Sequence, residues 1–481
     1  MIALVDRALL RNQAYIEGSF VGEPVTPVTN PATGLEIARV PALGQPEVRR
    51  SIEAAAAALT DWAGLTGKGR SAVLRRWFAL IVQARSDLAA ILTSEQGKPY
   101  QEALAEIDYA ASYVEFYAEE AKRITGEILG SHRAGTHLLV MREPVGVVAA
   151  ITPWNFPAAM VTRKLAPAMA AGCTVVLKPA PETPLTALAL AELAERAGVP
   201  AGVLNVVTGD AAMIGDILTS HPTVRMLTFT GSTRVGKLLM AQCSTTVKKV
   251  ALELGGNAPF IVFGDADLDA AVEGAMQSKF RNAGQTCVCT NRFYVQHEVH
   301  DSFIDMLTDR INALRVGDGH NPSTDLGPLI NDNALRKVEL HVADALGKGA
   351  RLRAGGRRHP LGGTYFEPTL LTEVHSGMLV CAEETFGPLA AVVRFETEDE
   401  VIEGANATPF GLAAYVYTAD VKRSFRMIGA LRYGMVGLNT GLISTELAPF
   451  GGVKESGNSR EGSSHGLLEF TELKYACIDA S

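Results

Sequence analysis

The sequence predicts an α/β protein built on a doubly wound parallel sheet, with a second α/β domain and a small β arm. Three observations carry this. After Pro144 the runs VGVVAAI, TVVLKPA, VLNVVTG, VRMLTFTG and KKVALELGG are short, β-branched and apolar throughout, as strands buried on both faces must be. Helical patterns separate them, and alternating βα units imply a parallel sheet with right-handed crossovers. The chain has 481 residues, past the ~250–300 at which a single core stops growing, so more than one domain is expected.

Taken in order, the alanine run over residues 54–58 reads as helix. From Ser71, the apolar residues Leu74, Trp77, Phe78, Ile81, Leu88, Ile91 and Leu92 follow helical spacing, and Gly97 and Pro99 supply the stop, so one amphipathic helix is expected. A second helical stretch over residues 100–123 leads into GEILGSHRAGTHLLVMREPVG, where turn residues separate two short runs able to pair as a protruding hairpin. TPLTALALAELAERAG reads as a helix with Thr183 as N-cap, Pro184 in the first turn and Gly198 just past the end. From Pro259 a second series begins with the strand APFIVF, the helix DADLDAAVEGAMQSKF and a cysteine segment, followed by the strands LAAYVYT and GMVGLNT. No Pro/Ser-rich linker marks the domain boundaries.

With 47% hydrophobic and 20% charged residues the composition is that of a globular protein. A net charge of −8 offers no broad cationic surface, so neither nucleic acid nor anionic lipid is an expected partner. No apolar run approaches the ~18–20 residues that span a bilayer, and MIALVDRALL is interrupted by Asp6 and Arg7, so a cytoplasmic protein is expected. The six cysteines, Cys173, Cys243, Cys287, Cys289, Cys381 and Cys477, are scattered and include no paired CxxC, which points to reduced thiols and no metal.

The strand VRMLTFT runs into Gly231-Ser232-Thr233-Arg234-Val235-Gly236 and then the helical KLLMAQC. A glycine turn opening a helix makes an anion site, because free N–H groups and the helix dipole face a phosphate. The spacing departs from GxGxxG, and a plain βα turn fits the same residues. Thr152-Pro153-Trp154-Asn155-Phe156-Pro157 follows VGVVAAI, at the strand end where ligands bind in open α/β sheets. The prolines restrict the backbone around Asn155, whose amide is then either an oxyanion donor or a turn asparagine. Lys178 ends TVVLK, at the mouth of the sheet. Glu253 ends KKVALE and is either paired structurally or held as a base. With Cys287 in the polar stretch FRNAGQTCVCTNR, these supply nucleophile, base and oxyanion donor for a carbonyl substrate.

PWNFP, AAGCTVVLKPA, FTGSTRVG, LELGGNAPF, GQTC, EETFGP and PFGGVKESG, in this order across nearly the whole chain, resemble the aldehyde dehydrogenase superfamily. The resemblance implies a Rossmann-like cofactor domain (residues 1–125 and 143–252), a catalytic domain (253–445) and an oligomerisation element (126–142 and 446–481), in a homodimer or homotetramer. It implies that Cys287 attacks the aldehyde, that Asn155 and the Cys287 N–H hold the oxyanion, and that Glu253 activates water. It also implies a nucleotide site made by Thr152, Trp154, Lys178, Gly231, Ser232, Gly236, Glu384 and Phe386. NAD-preferring members often carry Glu three residues after the lysine; Pro181 stands there, with Glu182 next, which leans the expectation to NADP over NAD.

Within the superfamily, KFRNAGQTCVC, GNAPFIVF and NTGLIS resemble succinate-semialdehyde dehydrogenases. That implies a carboxylate clamp of Arg163, Arg281 and Ser444. Glutarate semialdehyde, one methylene longer, fits the same clamp. Some members close a CxC pair here into a regulatory disulfide, so Cys289 is a candidate redox partner of Cys287. A CoA-acylating enzyme or a non-catalytic scaffold would be expected to lack Glu253 or the thiol.

Overall fold

The computed structural model describes residues 2–479. A first seven-stranded sheet comprises β1 (Ala14–Ile16), β2 (Ser19–Val21), β3 (Val147–Ile151), β4 (Thr174–Lys178), β5 (Leu204–Val206), β6 (Val224–Thr230) and β7 (Lys249–Glu253), in the spatial order β7-β6-β3-β4-β5-β1-β2. β7 through β5 are parallel, and the β1–β2 hairpin closes one edge antiparallel. Every residue of β3 and β4 is buried. That is the outcome the continuous apolar runs require, since helices cover both faces.

These helices include α1 (Gln45–Gly64), α2 (Gly67–Gln83), α3 (Arg85–Gln96), α4 (Tyr100–Glu120), α5 (Ala159–Ala171), α6 (Pro184–Arg196), α7 (Ala211–Ser220) and α8 (Thr233–Cys243). The sequence reads α2 and α3 as one helix. The structure breaks it at Ala84 (φ −89°, ψ 10°), which caps both pieces. Apolar spacing is blind to a one-residue interruption that leaves both faces on the same core. Gly97 ends α3 in the left-handed conformation, φ 93°, as its placement predicts.

Thr183 precedes α6 but does not cap it. At φ −135°, ψ 56° it is off the extended geometry that folds an N-cap side chain back, and its hydroxyl is buried without a partner. Glu95 of α3 caps the helix instead, accepting from Leu185 N at 2.7 Å and Thr186 N at 2.8 Å. Burial pushes the Glu95 carboxyl up to about 8 against those hydrogen bonds.

A second seven-stranded sheet comprises β8 (Ala258–Val262), β9 (Thr290–Gln296), β10 (Arg351–Ala354), β11 (Thr369–Thr372), β12 (Leu389–Phe395), β13 (Ala413–Tyr417) and β14 (Met435–Leu438), ordered β10-β11-β12-β9-β8-β13-β14. α9 (Leu268–Lys279), α10 (His300–Asn312) and α11 (Asp332–Gly347) flank it. The chain passes from the carboxyl end of β7 to the amino end of β8 through Leu254-Gly255-Gly256-Asn257. This short crossing sets the carboxyl edge of the first sheet against the amino edge of the second, where Cys287 sits just before β9.

The arm pairs Glu127–Leu129 and Thr136–Pro144 antiparallel, with Thr471–Asp479 beside them. Residues 446–470, assigned with the arm from the sequence, add no strand to this sheet; within them Phe450 lines a cavity described next, and Ser459 and Glu461 are buried. No helix among the described residues is long and apolar enough to cross a membrane.

Candidate active site

In the first sheet β4 and β5 follow β3 to one side, and β6 and β7 lie to the other, so the topological switch falls between β3 and β6. A cavity of about 610 Å³ opens there, walled by Trp154, Asn155, Thr230, Gly231, Ser232, Lys337, Glu384 and Phe386 among others. A second cavity, about 240 Å³, lies under α4 and is lined by Glu102, Glu106, Tyr109, Phe156, Arg163, Arg281, Ser444 and Phe450. Cys287 and Met160 stand in the walls of both. A thiol at the junction of two cavities is the central feature of the molecule.

The thiol occupies a turn over residues 286–289, closed by Cys289 N donating to Thr286 O at 3.0 Å. Asn282 (φ 51°), Ala283 (φ 53°) and Gly284 (φ 72°) precede it, all left-handed. For a non-glycine residue that conformation costs about 1–2 kcal/mol. A polar network offsets the strain: Asn282 N donates to Glu102 Oε2 (2.8 Å), and Asn282 Nδ2 to Asn155 O (2.9 Å) and Gln285 O (3.2 Å). Asn155 Nδ2 donates one hydrogen to Gln285 O at 3.0 Å, which fixes the amide plane and leaves its second N–H for a ligand.

The two glycines of LELGG are there for close approach. A Cβ on Gly256 would lie 2.6 Å from the Cys287 carbonyl oxygen, and one on Gly255 2.8 Å from Glu384 Oε2. Glu384 Oε1 accepts from Gly256 N at 3.1 Å, and burial pushes that carboxyl up to about 7. Trp154 and Phe386 meet edge to face, ring centroids 5.4 Å apart.

Glu253 departs from its expected place. It lines neither cavity: Oε1 accepts from Ser459 Oγ at 3.1 Å, and Oε2 is buried without a partner. Burial and the neighbouring Glu461 hold its carboxyl well above the usual range, against Arg163 and Lys164. It is still within electrostatic reach of the thiol. Burial pushes Cys287 up to about 12, with Glu384 and Glu253 adding to this and Arg163 and Arg281 opposing it.

Arg163 also departs from expectation. It lines the second cavity, but its Nη2 lies 2.6 Å from Glu461 Oε2, and Lys164 Nζ donates to the other oxygen at 2.5 Å. Burial alone would raise Glu461; these two cations hold it low instead. Arg163 therefore faces the cavity with its charge already matched. Arg281 forms no ion pair among the described residues, and its guanidinium carbon stands 5.4 Å from the Phe156 ring centroid. Ser444 shares the same cavity.

Four expected nucleotide contacts stand outside the 610 Å³ cavity. Thr152 is buried, its N–H donating to Lys178 O at 3.2 Å. Gly236 packs against Leu254, where a Cβ would come within 2.5 Å of a methyl. Lys178 is buried, which lowers its pKa against the pull of Glu182 and Asp210. Pro181 lines a separate cavity of about 260 Å³ with Thr208, Gly209 and Asp210.

Cys289 is a free thiol directed at the Lys279 and Thr290 carbonyls (3.4 and 3.5 Å), in neither cavity wall. The sequence reading passed over Glu102, Glu106 and Tyr109, although an i, i+4, i+7 set of polar groups in an amphipathic helix marks a face that meets something polar.

The larger cavity suits a dinucleotide. Ser232 caps α8 and stands in the wall, and the Thr230 hydroxyl there is buried without a partner, a bonding capacity a ligand would satisfy. The family model described as "Aldehyde dehydrogenase family" matches residues 20–476. The chain belongs to the aldehyde dehydrogenase family. Relatives of this aldehyde dehydrogenase, each 57% identical over 99% of both chains, are a 3-sulfolactaldehyde dehydrogenase of Pseudomonas putida, a glutarate-semialdehyde dehydrogenase of Pseudomonas aeruginosa and an NADP(+) succinate-semialdehyde dehydrogenase of Escherichia coli. The solved structure of succinate-semialdehyde dehydrogenase from Burkholderia pseudomallei superposes with a TM-score of 0.98 at 57% identity, covering 99% of this chain and 100% of that one. Its α/β architecture is thus that of solved aldehyde dehydrogenases.

Proposed function

We propose that the protein oxidises succinate semialdehyde to succinate, with NADP preferred over NAD. The observation that carries this is the thiol between two cavities, the larger fit for a dinucleotide and the smaller bearing Arg281, which has no ion-pair partner among the described residues. Arg281, with Ser444, binds the far carboxylate and presents the aldehyde carbon to Cys287. The thiol gives up its proton to solvent water, its sulfur bonds that carbon, and the carbonyl oxygen takes the negative charge, stabilised by Asn155 Nδ2 and the Cys287 N–H. A nicotinamide held in the larger cavity would accept hydride from that carbon, the two-electron oxidation that leaves a thioester on Cys287. Glu253 rotates from its inward position, takes a proton from water, and the resulting hydroxide cleaves the thioester. A carboxyl held above the usual range is a stronger base, which suits that step.

Gly231, Ser232, Glu384 and Phe386 would hold the nucleotide in the larger cavity, with Lys178 beyond it. The absence of a carboxylate at position 181 leaves room for a 2′-phosphate. Glutarate semialdehyde is the alternative substrate, since one methylene discriminates by only about 1–3 kcal/mol. The named substrates of the three relatives share an aldehyde with an anionic far end, as the Arg281 cavity requires. Exposed Ile128, Met141, Leu473 and Tyr475 make the arm a site for homo-oligomerisation, and an acidic protein with reduced cysteines suits the cytoplasm.

The test is kcat/KM for succinate semialdehyde, glutarate semialdehyde and butyraldehyde, each with NADP and NAD and without CoA. The expected order puts the two semialdehydes well above butyraldehyde and NADP above NAD. Equal turnover of butyraldehyde, or an absolute need for CoA, refutes the reading.

A further inference from the structure

The mechanism above makes no use of the buried Lys98–Glu106 ion pair. Lys98 and Glu106 are 2% and 3% exposed, and Lys98 Nζ donates to Glu106 Oε2 at 2.5 Å. The same ammonium donates to the Asn155 carbonyl oxygen at 2.8 Å and stands 3.9 Å over the Phe156 ring. The other oxygen of Glu106 accepts from Ala158 N at 2.9 Å and Ala159 N at 3.3 Å, where α5 begins. One pair thus holds both ends of the short segment that carries Asn155. A buried ion pair is weak ground for stability, because apolar residues of similar volume often serve as well or better. What this pair reaches beyond itself is the backbone of the oxyanion donor.

We propose that the Lys98–Glu106 pair positions the Asn155 amide, Lys98 gripping the Asn155 carbonyl and Glu106 the Ala158 and Ala159 amides, so that the side chain stays aimed at the atom bonded to Cys287. The proposal rests on the reading of Asn155 as oxyanion donor. Gln285 O fixes the far end of that side chain; Lys98 and, at 2.9 Å from the same carbonyl oxygen, Asn282 Nδ2 hold the peptide from which it springs. A displacement of about 1 Å at such a donor costs on the order of 10²-fold in rate.

The experiment uses a reaction that needs no nucleotide. The thiol adds to the carbonyl of p-nitrophenyl acetate, the C–O bond breaks, nitrophenolate leaves with the electron pair, and water later hydrolyses the acetyl thioester. Acylation passes through an oxyanion. Alkylation of the same thiol by iodoacetamide displaces iodide and forms none.

Asn155→Ala should slow acylation by about 10²–10³-fold, and Lys98→Met by about 10-fold or more with KM within about threefold. In the Asn155→Ala background, Lys98→Met should cost less than about twofold, because it acts through the missing amide. Iodoacetamide should alkylate Cys287 at rates within about threefold of wild type throughout. If Lys98→Met costs the same factor in both backgrounds, or slows alkylation as much as acylation, the pair is merely structural and the proposal falls. Should Lys98→Met fail to fold, Glu106→Gln reads the same cycle, since it keeps the side-chain volume and an oxygen for the Ala158 and Ala159 amides. If Asn155→Ala itself costs nothing, the oxyanion assignment fails, a result separate from any effect at Lys98.

Discussion

Replacing Arg281 by Met tests how the substrate's charge is read, since it removes the guanidinium and keeps most of the apolar stem. Two arginines face the smaller cavity, but Arg163 is 2.6 Å from Glu461 while Arg281 has no carboxylate partner within ion-pair distance among the described residues. A hydrogen bond to a charged group contributes about 1.5–3 kcal/mol, so Arg281→Met should lower kcat/KM for succinate semialdehyde by about 10- to 150-fold. Butyraldehyde has no far carboxylate and should be turned over within about threefold of wild type. Arg163→Met should behave differently. It leaves Glu461 buried with Lys164 alone, and breaking such a pair costs about 3–5 kcal/mol, so the variant should show a lowered unfolding midpoint in denaturant and lose activity on both aldehydes. Initial rates at subsaturating aldehyde, with denaturant melts of each variant, give the comparison. If Arg281→Met impairs both aldehydes equally, Arg281 shapes the thiol turn and does not bind the carboxylate. If Arg163→Met stays stable and loses only semialdehyde turnover, the assignment of the two arginines is inverted.

Glu253→Gln should release a stoichiometric burst of NADPH and then stall at the thioester. Wild-type kcat should rise with pH above the usual carboxylate range as the elevated Glu253 carboxyl ionises, and the variant's residual rate should lack that slope. Glu95 is raised on folding from its ordinary value to about 8, so the folded state binds the extra proton between those limits. Stability therefore falls as pH rises through that window, by up to about 1.4 kcal/mol per unit; Glu95→Gln, which still offers an oxygen to the α6 amides, should flatten melts taken from pH 5 to 8, and an unchanged slope would refute the assignment. Burial raises the carboxyl of Glu102, which shares the smaller cavity with Arg281. KM for the semialdehyde should rise with pH as Glu102 ionises, and Glu102→Gln should remove that rise. Peroxide converts a reactive thiol to a sulfenic acid, which condenses with a second thiol and loses water. With peroxide in excess, a sulfenic acid not captured by Cys289 is oxidised on to the irreversible sulfinic acid, so wild type should recover with dithiothreitol and Cys289→Ser should not; equal recovery removes the disulfide switch.

What could be read along the chain was whatever depends on neighbours in sequence. The fully buried strands β3 and β4 are continuous apolar runs because both faces must be dry, and Asn155 between its prolines falls at a strand end by the same local logic. Cys287 and Asn155 line one cavity. Ala84 was not legible, since one non-helical residue leaves the apolar period intact. Thr183 has the sequence position of a cap, but Glu95, which performs that role, comes from another helix. By itself the sequence determined the α/β class, the family's motifs and the identity of the groups able to do chemistry, because side-chain type and strand patterning are local properties. Only the tertiary structure decided which of those groups are free to act. Glu253 points inward, Arg163 is matched by Glu461, and Lys98 reaches Asn155, because charge pairing in a buried site depends on distance in space between residues whose separation along the chain carries no signal.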